Sequence, residues 1–383
     1  MRARLSLSHS PRKQLTEKLF RKKFHQKCTI RRKSKIFDRD RKSFGFTDIR
    51  WHKQCIGELG RVPASTNFAK RIEVTYNTKL NQKMLQTKLC NIKLKNPTIL
   101  ASGILGVTKE SVDRIGKAGA GAVTLKSLCH EERQGNANPT MFSYNDVFLN
   151  AVGLPGQGID SALKDFGRLD NLSVPVIGSI YGYKIEQFGE VAKKMASLKP
   201  AIIEVDISCP HMDYGKPYYA DPELTAKVTK VVKKNAGKIP VSIKLSPNVY
   251  DIKEIAHAAE RAGADAITAI NTASAMVIDI DARKSILDNK IGGLSGPALK
   301  PIAVRCVYEI YETVKIPIIG TGGVTYGKDA IEMIMAGATA VGIGTGIYYR
   351  GIEIFKKVCD EMVAWMKKNK IKKLNEIRGI AHK

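Results

Sequence analysis

From Met84 onward, short apolar, β-branched runs alternate with stretches whose apolar residues recur every three or four positions. The first pattern fits a strand buried on both faces, the second an amphipathic helix. Strands are predicted at 98–101, 122–126, 175–179, 202–207, 241–245, 266–270, 317–321 and 340–344. Helices are predicted between them, at 109–117, 185–198, 222–234, 252–262, 298–314 and 328–335. Ala-Gly-Ala follows or ends several of these helices, at 118–120, 262–264 and 336–338. Glycine there supplies a left-handed helix end, and its small neighbours let the next strand pack close. Eight strand–helix units in about 300 residues specify an α/β TIM (β/α)8 barrel. A doubly wound sheet is the alternative, but the G-x-G-x-x-G it would carry after the first strand is missing. Two connections, 127–171 and 271–297, are longer than a crossover requires. Loops of that length at the carboxyl ends of barrel strands build the site or cover it.

The strand ends on that face are chemically loaded. The fourth strand runs out through Glu-Val-Asp-Ile-Ser-Cys-Pro-His (204–211), which sets Cys209 on the loop just beyond it. A lone cysteine is more often a small buried hydrophobe than a base or nucleophile; its neighbours change that balance. Other strand ends carry Ala101-Ser102-Gly103, Thr124-Leu125-Lys126-Ser127, Lys244 and Asn271-Thr272. The seventh and eighth carry Thr321-Gly322-Gly323 and Gly344-Thr345-Gly346. Glycines after strands seven and eight are the usual phosphate site of such a barrel, because exposed backbone N–H groups approach an anion closely. Lys126 and Lys244 follow apolar runs that aim them into the barrel mouth. Buried lysines need anions, such as a carboxylate, a phosphate or a reduced flavin.

Charge and cysteines bear on the rest of the chain. A formal net charge of +27 is that of a nucleic-acid binder, but its distribution is not. Residues 1–83 hold 23 of the 63 Lys and Arg but only 6 of the 36 Asp and Glu, leaving 40 against 30 elsewhere. Basic clusters such as Arg21-Lys22-Lys23 sit there without any sustained helical or strand period. Residues 1–83 are therefore read as a basic extension, disordered or not part of the working protein, and 84–383 as the barrel. Met84 is then a candidate start. A nucleic-acid arm, a tether to an anionic surface and an organelle transit peptide are other readings of such a segment. Aromatics such as Trp51 are too sparse for a base-stacking platform. The 7 cysteines are scattered, with no C-x-x-C pair. That suits reduced thiols in a cytoplasm and predicts neither a disulfide framework nor a metal site. No apolar run approaches the roughly 18 residues of a membrane span.

In chain order, A-S-G, T-L-K-S, N-A-V-G-L-P-G, S-C-P, K-L-S-P-N, I-N-T, G-G-L-S-G-P-A, T-G-G-V and G-I-G-T resemble the class 1 dihydroorotate dehydrogenases, with archaeal features, over about 89–382. K-L-S-P-N and G-G-L-S-G-P-A in register with S-C-P are the most specific part. The resemblance implies an FMN-dependent barrel that oxidises dihydroorotate to orotate in de novo pyrimidine (UMP) biosynthesis. It carries FMN contacts onto Ser102, Lys126, Ser127, Ser179, Asp206, Lys244, Ile270, Gly296, Gly322, Gly323, Gly344 and Thr345. Ser179 stands where many members have asparagine. Substrate contacts fall on Lys126, Asn150, Ala151, Val152, Gly153, Leu154, Asp206, Asn271 and Thr272. Cys209 matches the catalytic base, which would take the C5 proton while hydride leaves C6 for the flavin. Lys126 would pair with the substrate carboxylate, Lys244 would stabilise charge on the flavin, and Asn150 and Asn271 would read the imide edge.

Two positions depart from the usual family pattern. Asp206 and His211 stand where most members have asparagine, although C-P-H occurs in archaeal members and in the related dihydropyrimidine dehydrogenases. An ionised carboxylate only accepts hydrogen bonds. Asp206 is therefore expected to be protonated, paired with His211 or a lysine, or turned away from an anionic substrate. The sequence has neither an iron–sulfur cysteine cluster nor a second dinucleotide domain. Electrons are expected to reach NAD through a partner subunit carrying FAD and a [2Fe–2S] cluster, on a homodimer core or in a heterotetramer. A fumarate-reducing homodimer is the alternative; C-P-H and P-I-A-V-R-C-V-Y-E-I-Y favour the partnered type. Two other functions compete. One is a dihydropyrimidine or dihydrouracil dehydrogenase-type reductase on the same barrel. The other is a nucleic-acid-binding protein driven by the basic arm, whose binding would weaken steeply with salt.

Overall fold

The computed structural model describes residue 81 and residues 83–208, 212–213 and 216–383, without the side chains of 212, 213 and 216. The extension read at 1–83 lies outside the described residues apart from 81 and 83, and so do Cys209, Pro210 and His211.

Parallel strands close into a barrel, each hydrogen-bonded to its sequence neighbours. They are β1 (Thr98–Leu100), β2 (Ala122–Thr124), β3 (Val176–Ile180), β4 (Ile202–Asp206), β5 (Val241–Leu245), β6 (Ala266–Ala269), β7 (Ile318–Thr321) and β8 (Ala340–Ile343). β8 returns to β1 with Val341 opposite Thr98. All eight predicted runs are strands, displaced by no more than two residues at either end. Every residue of β1 to β6 and of β8 is buried. Burial on both faces is why these sequences run apolar without alternating.

The outer ring consists of α1 (Lys109–Lys117), α2 (Gly158–Phe166), α3 (Ile185–Ser197), α4 (Pro222–Ala236), α5 (Ile252–Arg261), α6 (Lys300–Thr313), α7 (Gly327–Met335) and α8 (Ile354–Lys368). α2 and α8 are additional to the predicted helices. Local chemistry sets the starts. Thr108 and Ser111 cap α1 reciprocally, and Asp221 accepts from the N–H groups of Glu223 and Leu224 ahead of α4, whose first residue is Pro222. Gly337, after α7, has φ +125°, and a Cβ there would lie 2.2 Å from the Tyr311 ring. The Ala-Gly-Ala signal thus marks both a backbone turn and a close approach.

A hairpin of Thr87–Leu89 and Ile92–Leu94 packs Leu89 and Leu94 against Ile99, Ile177, Ile202 and Ile319. It plugs the amino-terminal end of the barrel, leaving the carboxyl end open. There the two long connections do not run as separate loops. Their strands form one antiparallel sheet in the order Ala273–Ala275, Gly292–Ser295, Val147–Asn150, Met141–Tyr144, with Gly293 opposite Asn150.

Candidate active site

Between this cover sheet and the carboxyl ends of the strands lies a cavity of about 630 Å³. One flank is the glycine edge of β7 and β8. Gly322 and Gly323 have φ +133° and +73°, a region that favours glycine. A Cβ on Gly323 would lie 2.7 Å from the Lys300 backbone nitrogen, and one on Gly322 would lie 2.7 Å from Ala303 Cβ. A Cβ on Gly344 would make ordinary contacts, with Ala101 Cβ and Ile104 Cγ1 at 3.6 Å. Thr345 Oγ1 and Ser295 Oγ share a hydrogen bond of 2.7 Å that ties this edge to the cover sheet. Ser143 Oγ and Tyr348 OH share another, of 3.0 Å. Thr321 Oγ1 is buried here without a hydrogen-bond partner. Backbone N–H groups with no Cβ in front of them, and an orphaned hydroxyl beside them, form a cradle suited to a phosphate.

The floor is ionic. β4 and β5 set Asp206 opposite Lys244, and Lys244 Nζ lies 3.4 Å from Asp206 Oδ2. It also donates to Ser102 Oγ at 3.0 Å. Both charged residues are under a tenth exposed. Burial pulls the Lys244 ammonium down, but the carboxyl groups of Asp206 and Glu204 outweigh it and hold the group above the ordinary lysine range. Asp206 Oδ1 accepts from the Ser208 N–H at 3.0 Å and from the Ser208 hydroxyl. Asn271 Nδ2 reaches both Asp206 oxygens at 3.3 Å and also the Ser208 hydroxyl. Pairing with a lysine, one of the arrangements expected for Asp206, is present; His211 lies outside the described residues.

Lys126, just beyond the end of β2, lines the same cavity. Its side chain is half-buried at the cavity, and its ammonium has neither a hydrogen-bond nor an ion-pair partner among the described residues. Burial alone pushes it below the ordinary lysine range. Lys126 is therefore a cation waiting for an anion. Asn150 lines the same space and donates to the Gly293 carbonyl at 3.4 Å.

The segment after Asn150 is fixed from behind. Asn136 Nδ2 donates to the Ala151 carbonyl at 2.9 Å and the Asn136 N–H to the Val152 carbonyl at 3.1 Å. Arg133 Nε donates to the Gly153 carbonyl and Tyr181 OH to the Leu154 carbonyl. Four consecutive carbonyls are thereby occupied.

Most of the residues singled out from the sequence meet at this cavity: Ser102, Lys126, Ser127, Asp206, Lys244, Ile270, Gly296, Gly322, Gly323, Gly344 and Thr345 for the cofactor role, and Asn150, Val152, Leu154, Asn271 and Thr272 for the substrate role. Three are set back from it. Ser179 is fully buried behind Ser127, their hydroxyls 2.8 Å apart, while Ala151 and Gly153 act through the carbonyls just described. Asn271 was expected to read a ring edge. Its amide donates inward to Asp206, and its Oδ1 accepts from the Thr272 N–H at 2.8 Å. Residues not anticipated include Phe148, Ser295 and Tyr348, which the cover sheet and the β8 end bring to the cavity. Among the described residues no group of three His, Cys, Asp or Glu is placed to hold a metal ion.

Such a barrel, with glycines at two strand ends and two lysines over one covered cavity, has the architecture of a TIM-barrel enzyme. Residues 84–366 match the dihydroorotate dehydrogenase family model. The chain is 51% identical over 304 residues to the dihydroorotate dehydrogenase B (NAD(+)) catalytic subunit of Methanocaldococcus jannaschii, covering 78% of this chain and 98% of that one. It is 44% identical over 302 residues to the corresponding subunit of Methanothermobacter thermautotrophicus, covering 78% and 99%. With that of Pyrococcus abyssi it shares 44% over 301 residues, covering 78% and 100%. The chain belongs to the dihydroorotate dehydrogenase family, and is an oxidoreductase.

Proposed function

We propose that the protein oxidises dihydroorotate to orotate in de novo pyrimidine biosynthesis, as the catalytic subunit of an NAD-linked enzyme. The observation that carries this reading is Lys126, a half-buried ammonium with no partner among the described residues, which lines the same cavity as the glycine cradle. Such a cavity asks for two anionic groups, a phosphate at the glycines and a second anion at the lysine. FMN and the carboxylate of dihydroorotate supply them. Gly322, Gly323, Gly344 and Thr345 would hold the FMN phosphate, and Ser102, Lys244 and Ile270, which line the same cavity, would hold its ring. Bound there, FMN would supply a two-electron acceptor for hydride.

The chain's own residues do the remainder. Lys126 holds the substrate carboxylate and fixes the ring. Cys209, as thiolate, takes the C5 proton. Lys244, held charged by its carboxyl neighbours, would set a fixed positive charge beside a bound flavin. Asn150 and the loop it leads into, held from behind by Arg133, Asn136 and Tyr181, shape the pocket for the uracil-like ring.

The names of the relatives support NAD(+) as final acceptor. A partner subunit carrying FAD and a [2Fe–2S] cluster, on a homodimeric core, accounts for the route. The scattered cysteines, without a C-x-x-C pair in the sequence, support a cytoplasmic setting. Residues 1–83 are proposed to lie outside the catalytic unit, because relatives are matched over nearly their whole length by 78% of this chain. The test is an acceptor assay. Dihydroorotate should reduce a small dye with this chain alone, whereas reduction of NAD(+) should require the partner. NAD(+) reduction by this chain alone would contradict the partnered assignment.

A further inference from the structure

Beneath the floor of the cavity lies a second carboxyl group for which the proposed chemistry has no use. Glu204 and Asp206 are two apart on β4, so both face the barrel interior. Glu204 is 3% exposed. Its Oε2 meets Thr268 Oγ1 at 2.9 Å, Thr268 in turn meets Ser242 Oγ at 3.0 Å, and Oε1 lies 3.5 Å from Ser179 Oγ. Ser102, which takes the hydrogen bond from Lys244, also acts on Glu204, lowering its pKa slightly.

The groups facing Glu204 are thus hydroxyls from β3, β5, β6 and the end of β1. Lys244 on β5 and Asp206 on β4 are the charged groups acting on it. One ammonium and two carboxyls share this buried layer, so ionising both carboxyls would leave a net negative charge out of water. Asp206 holds the direct contact with Lys244, an N–H donor from Ser208 and the Asn271 amide. Glu204 has hydroxyls, which serve equally well as acceptors from a carboxylic acid. Burial, the largest influence on Glu204, also raises its pKa.

We propose that Glu204 is a positioning residue that stores a proton under the flavin site, keeping the Lys244–Asp206 floor net neutral so that the ammonium is free to answer negative charge arriving above it. Loss of that proton at alkaline pH would make the floor net negative and disfavour reduction. By reciprocity, reduction would raise the affinity of Glu204 for its proton. The role rests on the FMN reading, but the proton itself does not.

Infrared spectra of the purified protein, with and without carbon-13 glutamate, test it directly. A protonated-carboxyl C=O band that shifts with the label, vanishes in Glu204→Gln and weakens as pH rises is expected. Absence of that band in the wild type at neutral pH would overturn the proposal, whether or not the variant folds. In flavin-loaded protein the midpoint potential should match between wild type and Glu204→Gln at neutral pH, and only the wild type should fall more steeply at alkaline pH. A neutral-pH difference between the two, or parallel pH dependences, would also overturn it. A colourless protein that still has the band would fail the FMN reading and leave the stored proton standing.

Discussion

Lys244 and Asp206 face each other across neighbouring strands, with Nζ 3.4 Å from Oδ2, and both are almost wholly withdrawn from water. Removing one member of such a pair leaves the other charge buried and uncompensated. Asp206→Ala is expected to lower unfolding free energy by about 3–5 kcal/mol. Asp206→Asn with Lys244→Met should cost less than the sum of the two single changes, by at least about 1 kcal/mol. Urea unfolding of the four proteins measures the coupling, and strict additivity would mean that the pair is not an energetic unit.

Lys126 should behave in the opposite way. Its ammonium has no partner among the described residues, so Lys126→Met should leave stability equal or slightly higher. The same change should raise KM for dihydroorotate about 10–100-fold, the worth of a charge-assisted hydrogen bond. Because burial lowers its pKa, the free enzyme loses this charge at lower pH than an ordinary lysine would. The rise in KM from loss of this charge should therefore begin below about pH 10.4 and be absent in Lys126→Met.

Gly323→Ala probes the phosphate cradle. The added Cβ meets the Lys300 backbone at 2.7 Å, and φ is +73°. Strain of about 1–3 kcal/mol follows, too little to unfold a barrel of this size but enough to close the cradle. The variant should purify folded, by circular dichroism, with far less flavin per chain than the wild type. Full flavin content would refute the assignment of the phosphate site.

The barrel was legible in the sequence because strands buried on both faces appear as uninterrupted apolar runs, and Ala-Gly-Ala punctuates the helix ends. The cavity residues were legible because each sits at the end of such a run. What could not be read was pairing across distance. Asn150 and Gly293 are neighbours only once the two long connections form one sheet, and nothing local in either segment announces the other. Glu204 passed as part of an apolar run because its hydroxyl partners, Ser179, Ser242 and Thr268, come from three other strands. Asp206 was noticed as a departure from the family pattern, but its partner, Lys244, lies on the next strand 38 residues further on.

Cys209, assigned from the sequence as the base, lies outside the described residues, so kinetics must test it. Cys209→Ala should retain the fold and the flavin while losing about 10²–10⁴-fold in the rate of flavin reduction by dihydroorotate. Cys209→Ser should recover a small part of that rate at high pH, since a hydroxyl ionises far less readily than a thiol. Normal reduction by the alanine variant would remove Cys209 from the chemistry.

If this cavity joins a flavin to dihydroorotate, anaerobic bleaching of the visible flavin spectrum will show it. The purified protein should be yellow, should bleach on addition of dihydroorotate, and should remain yellow with an equal concentration of dihydrouracil, which has no carboxylate for Lys126. Bleaching by dihydrouracil in preference to dihydroorotate, or by neither, would contradict the account.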